Sequence, residues 1–197
     1  MNDENVKIAR IRKSCHVGKI VSNILCIFFA IGFVAAIAGG IMTLAQGKEF
    51  DERIADAQAR GVIDYSDKVV AARVFDFNLG IMPQNIESDI PAVQEALADH
   101  PMSVMYGTYM LFIGIGFAII SVLSKLVSSI FGLIEKENTP FTDKVKKRVT
   151  ITMIITTAIL FLTTGTPFGL LFALLTWVVY AVLDYGKTLQ VQSDETL

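Results

Sequence analysis

Hydrophobic positions in this chain fall into long blocks rather than short alternating patterns. Three blocks contain no charged residue: Ile20 to Gly47, Pro101 to Ser124, and Val149 to Leu183. A bilayer core takes about 20 apolar residues in helical form. A charge at its centre costs roughly 2.5–3.5 kcal/mol or more. Blocks this long and this free of charge predict membrane-spanning helices.

The first block follows a basic stretch, as the apolar region of a signal peptide would. That region is usually about 7–15 residues, whereas this block has 28, so it reads as an uncleaved helix over residues 20–46. The second block predicts a helix over 102–126. The third is too long for one span and just long enough for two. Thr163-Thr164-Gly165-Thr166-Pro167 lies near its midpoint. That concentration of turn formers predicts a hairpin of two helices, 149–164 and 167–183, over one long kinked helix. The expected fold is an all-α membrane protein with four transmembrane helices.

Between the first two helices lies a polar segment, residues 47–101. It predicts a small extracytoplasmic insertion, α or α+β. Glu49 to Arg60 reads as a short helix ended by Gly61. Val69 to Phe77 carries β-branched and aromatic residues in partial alternation, a strand pattern, and Asn78-Leu79-Gly80 reads as a turn. Ser88-Asp89-Ile90-Pro91 reads as a helix start, with the helix running to about His100.

After helix two, apolar residues continue past Leu126 and predict an amphipathic extension. It leads into a basic segment, and 127–148 as a whole reads as cytoplasmic. Asn138 to Thr142 breaks the helix, since Pro140 lacks an N–H and restricts its predecessor. Thr142 suits an N-cap, with Asp143 in the first turn. Residues 1–19 and 184–197 read as polar tails.

Charge sets the orientation. The 47–101 segment holds 11 acidic and five basic residues. The short N-terminal tail and the segment after helix two hold most of the remaining Lys and Arg. Positive charge in short loops marks the cytoplasmic side. Both termini are therefore expected on the cytoplasmic side of the membrane, with 47–101 and the Gly165 turn outside. At 53% hydrophobic and 18% charged, with a net charge of -2, the chain has no basic excess for nucleic acid.

Candidate chemistry is sparse. The charge-free blocks hold none of the ionisable groups that proton relays and ion-coupled transport rest on, and no repeat of the transporter kind is visible. His16 and His100 fall on opposite sides of the expected topology. No metal-ligand, paired-cysteine or phosphate-loop motif is present. Neither catalytic residues, a cofactor nor a metal site is expected. Cys15 and Cys26 read as small apolar or interfacial side chains, with lipidation of Cys15 as the sharper alternative.

Gly32, Ala36 and Gly40 recur every four residues and predict a close-packed helix face, within the chain or between copies of it. Helix three is rich in threonine, including Thr150, Thr152, Thr156 and Thr157. Such hydroxyls mostly bond back to their own helix, a polar pore lining being the alternative. Lys144, Lys146, Lys147 and Arg148 form a basic cluster before helix three, suited to anionic lipid or a cytoplasmic partner.

Two segments carry a resemblance. One is the Pro140-Phe141-Thr142 turn before helix three. The other is the terminal stretch holding Tyr185, Gly186, Leu189, Gln190, Asp194, Glu195 and Thr196. Together they resemble the YoaS-like group of bacterial four-helix membrane proteins of unknown function. Members of that group are often encoded beside a helix-turn-helix regulator. The resemblance thus implies a membrane partner of a cytoplasmic transcription regulator and no catalytic residues. Gly186 itself is expected to end helix four in a left-handed C-cap. The leading functional expectation is a non-enzymatic sensor or membrane partner of such a regulator. The alternatives are a small transporter or channel accessory subunit, or a structural or immunity protein.

Overall fold

The computed structural model of the chain describes residues 3–61 and 88–195. The expected strand at Val69–Phe77 and the turn at Asn78-Leu79-Gly80 lie outside them. The elements among the described residues are all helices: α1 Asp3–Gln46, α2 Lys48–Ala59, α3 Pro91–Asp99, α4 Pro101–Glu137, α5 Asp143–Thr164 and α6 Thr166–Glu195. Three stretches are long and apolar enough to cross a membrane: Ala9–Gln46, Pro101–Glu137 and Thr166–Gln192. In the most apolar part of each, only 6% of the residues are buried within the chain. Their hydrocarbon faces outward, which is the arrangement of a membrane protein and not of a soluble core.

The described contacts divide into two compact units. The first comprises residues 31–117. Here α1 and α4 run antiparallel and interlock through small residues. A Cβ on Gly40 would lie 2.9 Å from the Gly107 carbonyl oxygen, and one on Gly107 would lie 2.5 Å from Leu44 Cγ. Gly114 faces Ala36 and Ile37, and Gly32 faces the Phe117 ring. The Gly32, Ala36 and Gly40 stripe therefore packs within the chain.

At the end of this helix pair, Gly47 takes φ +50° and turns the chain into α2. Asp51, in the first turn of α2, then reaches the start of α4. Its Oδ1 accepts from Ser103 N at 2.6 Å and its Oδ2 from Met102 N at 3.1 Å. Two of the amides that an α-helix leaves unsatisfied are thereby capped from another helix. Ser103 Oγ donates to the Thr43 carbonyl at 2.6 Å, and Phe50 stacks obliquely on Tyr106. Gly61, at φ +67°, follows α2, and Pro91 opens α3, both as read from sequence.

The second unit comprises residues 1–30 and 118–197. Contrary to the reading of 1–19 as a tail, α1 is helical from Asp3. From His16 onward α1 is met by α4, which presents a complementary polar face from Ser121 to Glu135. His16 Nδ1 lies 2.9 Å from Glu135 Oε1, and Lys19 Nζ lies 3.4 Å from Glu135 Oε2. Ser128 Oγ donates to Asn23 Oδ1 at 2.9 Å, and Ser121 Oγ to the Cys26 carbonyl at 2.9 Å. Gly18 admits the Phe131 ring. Cys15 is only 8% exposed in this seam, a poor position for an acylation site.

In the same unit, α5 and α6 form the expected hairpin. Gly165 turns it at φ +88°, ψ 178°, a region essentially restricted to glycine. Gly169 lies against the Phe161 ring, and Thr157 meets Thr176 at 3.1 Å.

Candidate functional site

The sequence signals that look least generic converge where the α4–α5 loop meets the far end of α6. The loop begins at Asn138, whose φ of +59° ends α4; asparagine tolerates this left-handed conformation better than most residues. Thr139 Oγ accepts from Phe141 N at 3.3 Å and donates to Gln190 Oε1 at 3.1 Å. Pro140 then fixes the backbone before Phe141. Thr142 caps α5 as expected, its Oγ accepting from Val145 N at 3.3 Å. Val145, in the first turn of α5, is fully buried.

Phe141 explains Gly186. A Cβ on Gly186 would lie 2.3 Å from Phe141 Cε1, so the ring occupies the space a side chain would need. The expected left-handed C-cap at Gly186 does not form. Gly186 is not among the positive-φ glycines, and α6 continues to Glu195. As far as Gln190 its inward face is held by Phe141, Asp143 and Thr139. Residues 184–195 are thus a helical extension of α6 where a tail was expected.

Ion pairs complete the clasp. Lys187 Nζ donates to both Asp143 oxygens, at 2.7 and 2.8 Å. This hydrogen bonding, then the Lys187 charge, with Lys146 adding, holds the Asp143 carboxyl below its ordinary range. Lys146 donates to Asp184, and its ammonium lies 4.3 Å from the Tyr180 ring centre. The bond to Asp184, followed by the contact with Tyr180, raises the Lys146 pKa. Lys144 reaches Glu137 at 3.2 Å. Water screens these pairs; the value of Lys187–Asp143 and Lys146–Asp184 lies in fixing register between α5 and α6.

The two segments that carry the family resemblance are thus neighbours in space, though not every residue in them takes part. Phe141, Thr142, Gly186 and Gln190 belong to the clasp. Tyr185 and Leu189 lie on the opposite face of α6, 67% and 48% exposed. Asp194 and Glu195 extend the helix, and Thr196 lies outside the described residues. Of the basic cluster, Lys144 and Lys146 are paired, whereas Lys147 and Arg148 are exposed without an ion-pair partner among the described residues.

The pairing of Asp184 and Lys187 with the start of α5 has a signal in the sequence. The opposite charges are equidistant from the turn: 165 − 143 = 187 − 165 = 22, and 165 − 146 = 184 − 165 = 19. An antiparallel hairpin about Gly165 must bring such positions level.

Chemically, the clasp is an adhesive surface. It contains hydroxyls, amides and ion pairs, but no nucleophile paired with a base. No cluster of three metal-ligating side chains occurs among the described residues. Comparison with known protein families, with curated proteins and with solved structures yields no match.

Proposed function

We propose that this is a non-enzymatic membrane protein of four spans, α1, α4, α5 and α6, that docks a soluble cytoplasmic partner on the end of α6. The fourth span in this reading is α5. Its charge-free part, Val149 to Thr164, has 16 residues, near the lower limit for crossing. Its hairpin partner α6 is long and apolar enough to cross. The distribution of Lys and Arg supports placing both termini and the clasp in the cytoplasm.

One observation carries the docking reading. Beyond Leu183, α6 continues as a helix to Glu195; from Asp184 to Gln190 it is clasped along one face. The opposite face presents Tyr185 and Leu189 past the end of the charge-free block. Aromatic and aliphatic side chains on a rigid helix suit recognition by a partner's groove. The resemblance described above would make that partner a transcription regulator. The threonines of α5 favour docking over a solute path: Thr150, Thr152, Thr156, Thr157 and Thr163 each donate to the carbonyl four residues earlier.

The test is crosslinking in the native host followed by purification of the tagged full-length protein. A specific soluble partner, lost in Tyr185→Ala/Leu189→Ala with insertion unchanged, is the expected result. A partner retained by that variant, or none with the wild type, would reject the docking surface.

A further inference from the structure

The four cations at the start of α5 divide into two pairs with different tasks. Lys144 and Lys146 are engaged by Glu137 and Asp184. Lys147 and Arg148 are exposed and make no side-chain hydrogen bond or ion pair among the described residues. They immediately precede Val149, where the charge-free part of α5 begins.

That part is short. Its 16 residues rise about 24 Å, against a hydrocarbon core of about 30 Å. A short span draws the bilayer boundary toward itself and relies on long flanking side chains to reach the headgroups. Lys147 and Arg148 are the side chains placed to do this. Their level can be read on α6, because the neighbouring Lys146 is held by Tyr180 and Asp184. Near that level α6 exposes Tyr180, at 42%, a residue type that favours the membrane–water interface. On α1, Arg12 and Lys13 are also exposed, just before His16, whose partner Glu135 lies near the end of α4. This end of the unit therefore joins unpaired positive charge to an interfacial tyrosine.

We infer that Lys147 and Arg148 form a headgroup site for anionic glycerophospholipid, their cations meeting lipid phosphate while the acyl chains lie along the apolar part of the α5–α6 hairpin. The site is separate from the docking face of α6, and its test does not depend on any soluble partner.

The full-length protein in detergent would be mixed with defined amounts of phosphatidylglycerol and phosphatidylcholine, and retained lipids counted by native mass spectrometry. The wild type should retain phosphatidylglycerol in preference. Each cation near a charged lipid surface is worth about fivefold in binding, so Lys147→Gln/Arg148→Gln should lower that preference by roughly twenty-five-fold. Lys144→Gln, which removes a paired cation, should leave the preference unchanged, and Lys147→Arg/Arg148→Lys should keep it. If the double glutamine variant does not fold, each single variant should still show about a fivefold loss. Equal retention of the two lipids by the wild type would overturn the inference. So would an unchanged preference in the glutamine variants, or displacement of phosphatidylglycerol by millimolar inorganic phosphate.

Discussion

Replacing Gly186 by alanine should loosen the clasp even though it places a better helix former inside a helix. Alanine is favoured over glycine in a helix interior by about 1 kcal/mol, and Gly186 lies well within α6. Against this stands Phe141. The new Cβ would sit 2.3 Å from Phe141 Cε1, and ordinary contact begins at 3.4 Å, so the ring must withdraw by 3.4 − 2.3 = 1.1 Å. Overfilling a packed site costs about 1–3 kcal/mol. Taking the middle of that range, the net effect is about 1 kcal/mol of destabilisation, or about fivefold more frequent local opening.

Hydrogen–deuterium exchange on the protein in nanodiscs reads this directly, through amides at the start of α5 and in α6 from Asp184 to Gln190. Two companion variants isolate the cause. Gly116→Ala meets nothing within 4 Å and should leave α4 equally or better protected. Phe141→Leu combined with Gly186→Ala should recover part of the lost protection. If Gly186→Ala alone exchanges no faster than wild type, the glycine is not there for Phe141, and the account of the clasp fails.

Other consequences are more local. Thr142→Ala removes the acceptor for Val145 N and should destabilise the start of α5 by about 1 kcal/mol; Thr142→Ser should restore protection of that amide, and equal exchange in wild type and Thr142→Ala would contradict the capping role. Gly165→Ala forces a side chain into the backbone conformation at φ +88°, ψ 178° and should cost about 1–3 kcal/mol, seen as a lower thermal unfolding temperature in detergent; an unchanged temperature would argue against this turn. Because the Asp143 carboxyl is held below its ordinary pKa of 3.8, its contribution is complete above that value and is lost as pH falls through the lower folded-state pKa. Spin labels on Asn138→Cys and Thr188→Cys, with Cys15 and Cys26 replaced by serine, should report a wider separation at acid pH; Lys187→Gln should abolish that dependence, and a distance that ignores pH would refute the pairing.

Much of this molecule is decided by chemistry that acts within a few residues. The apolar blocks announce helices in a membrane because a charge in hydrocarbon is costly wherever the helix points. Gly165 turns the hairpin because the needed backbone angles suit glycine. Gly61, Pro91 and Thr142 bound their helices for equally local reasons of φ, missing donors and free amides. Each of these features was legible from the chain alone.

The candidate site was legible only in its parts. Pro140-Phe141-Thr142 and Tyr185-Gly186 stood out as separate segments, and Gly186 by itself reads as a helix end. It became a socket because Phe141, 45 positions earlier, fills the space above it. The stretch before Lys19 looks like a polar tail until Glu135 and Phe131 of α4 are set beside it. Local propensities reach about one helical turn. Which side chains meet across two helices depends on the register at which those helices lock, and that is set jointly by the turn at Gly165, the glycines that permit close approach, and the ion pairs that come level when they do. Tertiary structure alone decided which cations were neutralised, which remained free at Lys147 and Arg148, and which face of α6 was left open.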